Sequence, residues 1–421
     1  MNLLSTTARV QTPVIIATIG DTTFGLYDKK AAMLNIYGKT YNGYKITYPN
    51  YMKELRIIKV NGSLNNYTLS LDYPITAGDD PNLIDKILSK VSKSRKITFT
   101  YGDASLPAFM YREEEALITK IKSSMNYSSS TISYTISAVS TALKLTANKK
   151  DFPARYNVKP STVIKELLQD KSTGLTDIFY GMYDYETVIQ QHYIADDDLP
   201  INMEQKLNIP VLEYLTYLVN CMSNVNDSID SLQKSARYTL TVHDNTSEYM
   251  AGPYFKVNKV LTQTQPTTSL DYYTIDVGYP GKDLVYNFSV NQDDSYAILY
   301  DYANDVQVDN YIYRMDNSGN INKIYSPAVS NSNSLLKTTA VDRTWWSQMT
   351  QFPIRATLQL RGLLRAIMLM SYIKINVYYY GNKHNSSGLY IVNKQEDVIN
   401  SSGYTTTLNL VRVGADDDYT S

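Results

Sequence analysis

One arrangement occurs twice in this chain and constrains its fold more than any other feature: a Lys-Ile strand, a Tyr-Gly turn, a strand, a Ser-rich turn and a Thr-rich strand. KITFTYG closes at Gly102, and KINVYYYG closes at Gly381. After the first comes ALITKIKSSMNYSSSTISYTISAV (116–139), and after the second SGLYIVNKQEDVINSSGYTTTLNLVRVG (387–414). In each, an apolar strand runs through Lys into a Ser/Asn turn and returns with period-two alternation, which reads as a β-hairpin. Tyr404, Thr406, Leu408 and Leu410 fall on one face of the last strand, and Thr405, Thr407 and Asn409 on the other. The shared order predicts two related barrel-like units. Three copies of such a chain carry six like units, a geometry suited to a six-fold partner.

Elsewhere the pattern switches between periods. YTLSLDY alternates Tyr67, Leu69, Leu71 and Tyr73; KITFTYG alternates Ile97, Phe99 and Tyr101; TISYTISA alternates Ile132, Tyr134, Ile136 and Ala138. Helical spacing appears at Leu83, Ile84, Ile87, Leu88 and Val91, with Pro81 near the first turn. A second helix is expected from KPSTVIKELLQD, with Ser161 as its N-cap and Val163, Ile164, Leu167 and Leu168 on one face. A third follows Pro210, with Val211, Leu212, Leu215, Leu218, Val219 and Met222 as its stripe. The fold class expected is mainly β with an α+β insertion. Two similar antiparallel β-barrel domains, 1–150 and 336–421, are separated by a small α+β domain (151–235) and a β-rich domain (236–335). SPAVSNSNSLLKTT (326–339) reads as a loop or linker.

Charge narrows the partners. A net charge of −1 supplies no excess of Lys and Arg for non-specific attraction to nucleic acid. No basic n-region precedes an apolar h-region at the start, and the most apolar run, GLLRAIMLMSYIKINVYYY, is broken by Arg365 and Lys374. No signal peptide and no membrane anchor are therefore expected. The lone Cys221 lies in an apolar helical stretch and reads as a buried structural thiol. Tyrosine is used 39 times against 8 Phe and 2 Trp. Its apolar ring and polar tip suit half-exposed strands and contact surfaces alike.

The closing hairpin resembles the terminal strand pair of bacteriophage tail-hub proteins: contractile-tail baseplate hubs, the late-control D family and the hub part of VgrG spikes. Gly388, Tyr390, Val392 and Ile399 match the first strand of that pattern, and Thr405, Thr407, Leu408 and Leu410 the second. The histidine frequent before the turn is absent, with Asp397 or Val398 in that zone. Ile97–Gly102, Pro160–Leu168 and YLTYLVNCM follow in the family's order. The resemblance implies a homotrimeric virion hub, assembled in the host cytoplasm. Its two barrels per chain form a pseudo-six-fold ring that joins the tail tube protein to a central spike protein. Tape-measure protein and DNA pass through its channel, and baseplate wedge proteins surround it.

The residues offer little for catalysis. His192, His243 and His384 have no second His or Cys at metal-ligand spacing. Asp196–Asp198 and Asp416–Asp418 lack the Gly and distal Glu of an EF-hand and read as solvated acidic loops. Glu113 with Glu115, or Asp293 with Asp294, are the carboxylate pairs a glycosidase would need, but sequence neighbours do not define a cleft. The chain is expected to be no enzyme and to carry no catalytic, cofactor or metal residue. A carbohydrate-binding or host-adhesion protein of a virion, built on tyrosine platforms, is the alternative.

Overall fold

A computed structural model describes residues 9–26, 40–41, 44–45, 48–49, 51–90, 95–103, 112–170, 200–222, 236–244, 254–261, 272–279, 284–292, 310–315, 321–326, 354–363, 367 and 369–415. The acidic runs 196–198 and 416–418, Asp293, Asp294, His192 and most of the linker 326–339 lie outside the described residues. The chain is mainly β, as expected.

Its first half contributes β1 (Pro13–Ile19), β2 (Thr22–Leu26), β3 (Tyr48–Pro49), β4 (Met52–Val60), β5 (Asn66–Pro74), β6 (Lys96–Asp103), β7 (Arg112–Asn126) and β8 (Thr131–Ser140), with helix α1 (Leu83–Lys90) between β5 and β6. The alternating residues read from the sequence all point inward, and Leu69, Phe99 and Ile136 are fully buried. Ile84, Ile87 and Leu88 of α1 cap that core. Each such side chain contributes about 1.5–3 kcal/mol on burial.

Helices α2 (Pro160–Gln169) and α3 (Val211–Cys221) share a core of the middle region with β9 (Ala236–His243) and β10 (Tyr254–Leu261). Their expected stripes are buried, apart from a half-buried Leu212, and so is Cys221. Ser161 is not the N-cap of α2: Lys159 holds that position and Pro160 occupies the first turn. The reason is the proline ring, whose fixed φ and missing N–H fit the first helical residue better than any alternative.

The second half consists of β11 (Tyr272–Val277), β12 (Val285–Gln292), β13 (Ile354–Arg361), β14 (Tyr372–Tyr379), β15 (Gly388–Asn400) and β16 (Gly403–Ala415). Its strands lie in the order β12-β13-β16-β15-β14-β11, and those of the first half in the order β4-β5-β8-β7-β6-β1. Taken in chain order, the two series have the same strand order. All these pairs are antiparallel except β11 with β14. The irregularities recur too. Thr119 is the extra residue of a bulge in β7, seven residues before its turn, and Asn393 is its counterpart in β15. Lys53 in β4 and Tyr286 in β12 are a second matched pair. The Lys-Ile match in the sequence, however, is displaced by two residues: Leu117 faces Lys96, whereas its counterpart Ile391 faces Tyr372. A two-residue slip keeps every side chain on its face, so alternation alone does not reveal it.

Candidate functional site at the joint between the halves

The two halves form one 15-stranded sheet, because β15 changes neighbours along its length. Gly388–Ile391 pair with β14, the chain bulges at Asn393, and Lys394–Asn400 pair with Val60–Glu54 of β4. The base of the closing hairpin, with Tyr390, Val392, Leu408 and Leu410, belongs to the second core. Its tip, with Ile399 and Tyr404, belongs to the first. One hairpin therefore holds both.

Polar contacts fix the crossing. Arg112 of β7 donates from Nη1 to the Tyr404 hydroxyl (2.6 Å) and from Nη2 to the Leu363 carbonyl (2.6 Å). Its guanidinium lies 5.6 Å from the Tyr101 ring centre and 5.8 Å from that of Tyr404. Asp397 accepts from Thr406 Oγ1 and from Gln395 Nε2, both at 2.6 Å. Burial raises the Asp397 pKa, against the pull of Arg112. At the rim Arg56 pairs with Glu396 at 2.7 Å. Gly362 passes directly beneath Tyr404: a Cβ there would lie 2.2 Å from the ring.

Beside this crossing sits a buried ionic knot. Glu114 Oε1 pairs with Lys59 Nζ and accepts from the Tyr101 hydroxyl (2.7 Å), while Oε2 accepts from Tyr67 (2.6 Å). Burial pushes the Glu114 carboxyl up, but Lys59 and the hydroxyl donors outweigh it, and its pKa is lowered. The Tyr67 hydroxyl also lies 3.0 Å from Asp244 Oδ2, which accepts from Asn65 Nδ2 (2.7 Å). Asp244 Oδ1 accepts from Ser140. Burial raises Asp244 to about 6, with Glu114 nearby adding to the effect. A phenol carries one proton, so Tyr67 can bridge both acids fully only when Asp244 is protonated. Asp244 follows β9, so the knot anchors the middle region to the first half, as does the bond from Gly62 N to Leu240 O (2.8 Å).

Glu114 and Asp244 are each 1% exposed, so this pair of carboxylates meets no substrate. The pair singled out in the sequence brackets the important residue. Glu115 pairs at the surface with Lys96, and Glu114 between them turns inward. The signal was available, because Glu114 is in phase with buried Ala116 and Ile118. His243 is buried, contacts Thr241 Oγ1 at 2.9 Å and is pushed by burial to a pKa of about 3. His384 lies 2.8 Å from Ser386 Oγ. Among the described residues no group of three His, Cys, Asp or Glu side chains is placed to hold a metal ion. Nor is any helix long and apolar enough to cross a membrane.

No protein-family model matches the chain, and no curated protein matches it in sequence. Solved structures do. The 43 kDa tail protein of prophage MuSo2 from Shewanella oneidensis aligns over 96% of this chain and all of its own, with a TM-score of 0.52 and 9% identity. A tail protein from Neisseria meningitidis MC58 aligns over 96% of this chain and 98% of its own, with a TM-score of 0.50 and 8% identity. At such identity the likeness is one of fold, and the fold of this chain is that of phage tail proteins, as its closing hairpin suggested.

Proposed function

We propose that the chain is a structural subunit of a phage tail, the hub of a baseplate. In this reading three copies form a ring with pseudo-six-fold symmetry that joins the tail tube protein to the central spike protein. The two tube-like units are 1–150 and 336–421, the second completed by β11 and β12, with 151–235 and 236–335 between them. The lumen passes tape-measure protein and DNA, wedge proteins bind outside, and the subunit assembles in the host cytoplasm and does no chemistry. The supporting observation is the internal repeat: two halves of one strand order, joined edge to edge by a shared hairpin, in a chain with the fold of tail proteins. A net charge of −1 suits a channel that releases phosphate rather than holding it.

The carbohydrate-binding alternative needs exposed aromatics gathered in one concave site. Among the described residues the exposed tyrosines instead sit on separate elements: Tyr127 at the β7–β8 turn, Tyr156 in the middle region, Tyr286 in β12, and Tyr279, Tyr379 and Tyr380 around the end of β14. That distribution favours several contact faces. Electron microscopy of the purified chain, alone and with tail tube protein, tests the hub. A three-fold ring with a central hole is expected. A strict monomer in both samples overturns the reading.

A further inference from the structure

The repeat leaves one half of a joint unused in each half of the sheet. β15 and β4 are its used partners. Their counterparts are β7 and β12, matched by strand order and by the bulges at Thr119 and Asn393, and at Lys53 and Tyr286. In β7, residues 119–126 run beyond the end of β6 and are exposed on both faces. No strand pairs with their outer edge among the described residues. β12 is the end strand of the sheet, and its outer edge is equally unpaired among the described residues.

Both edges carry apolar side chains on the face that elsewhere forms core. Ile121 and Met125 face the same side as buried Ile136 and Ile132 opposite them, yet are 43% and 61% exposed. Val290 stands opposite buried Ala356 and is 40% exposed. Ile399, the counterpart of Met125, is 1% exposed because β4 and the first core cover it. An exposed strand edge with apolar residues on its inner face is a template for pairing.

From this we infer that a second copy of this chain covers the edge: residues 121–126 of β7 pair antiparallel with β12 of the next copy, repeating between chains the β15–β4 joint within one. The inference rests on the ring reading above and specifies its contact. It also sets the register. Within the chain Asp397 faces Ile57 and Ile399 faces Leu55. Transposed through the matched bulges, Ser123 faces Val290 of the next copy, and Met125 faces Phe288. The tip of the β7–β8 hairpin then completes the second core of its neighbour, as Ile399 and Tyr404 complete the first core of their own chain. The contact is heterologous, using a different edge on each partner, and such contacts generate rings when the rotation closes.

The test is a cysteine pair in the full chain, Ser123→Cys with Val290→Cys, oxidised with copper phenanthroline after assembly. Directly opposed strand residues lie within disulfide reach, whereas Ser289 points to the other face. Cross-linked chains ending at three on a non-reducing gel are expected, with few or none from Ser123→Cys with Ser289→Cys. Met125→Asp, which places a charge where the joint needs an apolar side chain, is expected to shift the wild-type assembly towards monomer. A ring seen by microscopy without the Ser123–Val290 cross-link overturns this strand assignment and leaves the ring reading standing. Cross-linked ladders extending past three keep the strand pairing and overturn closure on three. A chain that stays monomeric at high concentration overturns both.

Discussion

The two halves of the sheet share strand order and bulge positions but not interior chemistry. Where the first half buries Tyr67, Tyr101 and Glu114 against a half-buried Lys59, the matching register positions of Lys59, Tyr67, Tyr101 and Glu114 in the second are Gln292, Ala356, Val377 and Gly388. One frame thus accepts either a charged knot or uncharged residues at the same positions. Topology here is set by alternation, turns and bulges, and the ions are not needed to specify it. What the knot adds is an attachment, since Asp244 brings the middle region against the first half alone. α1 marks the same asymmetry, capping the first core.

The strongest way to break this comparison is Glu114→Ala. It leaves Lys59 charged without its partner and the Tyr101 hydroxyl without its acceptor, while Tyr67 keeps only Asp244, and a loss of about 3–5 kcal/mol in urea unfolding is expected. Converting the whole knot to the chemistry of the other half sharpens the test: Lys59→Met, Tyr67→Phe, Tyr101→Phe and Glu114→Leu together should recover most of that loss. Hydrogen exchange in 236–243 should rise in this variant, because Asp244 loses Tyr67. If the fourfold variant is no more stable than Glu114→Ala, the ions do specify the first half and the comparison fails.

Next in size is Gly362→Ala. The added methyl meets the Tyr404 ring, and overpacking of this kind costs about 1–3 kcal/mol. A lower melting temperature, accompanied by cleavage of the closing hairpin in limited proteolysis, would locate the damage at the joint.

The pH dependence separates the acids of the knot by sign. Asp244 binds its proton more tightly in the folded chain, with a pKa of about 6 against an ordinary 3.8. Its contribution is full below 3.8 and lost as pH rises through 6, on the order of 2–3 kcal/mol. Glu114 is held below its ordinary range, so its contribution is present above that range and lost on acidification. His243, buried neutral, likewise costs stability as pH falls from 6.5 towards about 3. Asp244→Asn should abolish the fall in urea midpoint between pH 4 and 6 while keeping the acid-side loss. An unchanged profile would show that Asp244 does not hold the proton.

Smallest is Arg56→Ala. It removes a rim ion pair whose arginine is 47% exposed, and less than about 1 kcal/mol should be lost in thermal unfolding.

What the sequence made legible follows the range of each signal. Period-two alternation and turn residues are local, so both hairpins, the inward faces and the helical stripes could be read directly. The β15–β4 joint joins Glu396 to Arg56 across most of the chain and leaves no local trace in either strand. The two-residue displacement between the repeats was invisible because it preserves the faces. Lys59 illustrates the other limit: a lysine in a strand gives no sign that its partner is a buried glutamate three strands away. Glu114 could have been found, by asking which of three consecutive glutamates falls in phase with the core.

The shared hairpin also imposes an order in time. The first half is synthesised by residue 140, but its core lacks Ile399 and Tyr404, and Arg112 lacks its hydroxyl partner, until translation has passed residue 404. At roughly 5–20 residues per second that is a wait of tens of seconds for the nascent first half. Any product truncated before the hairpin keeps β4 uncovered along the edge that β15 would occupy. Synthesis of the hairpin is thereby coupled to joining of the halves, and a chain that stops before it lacks the joint by which one half holds the other.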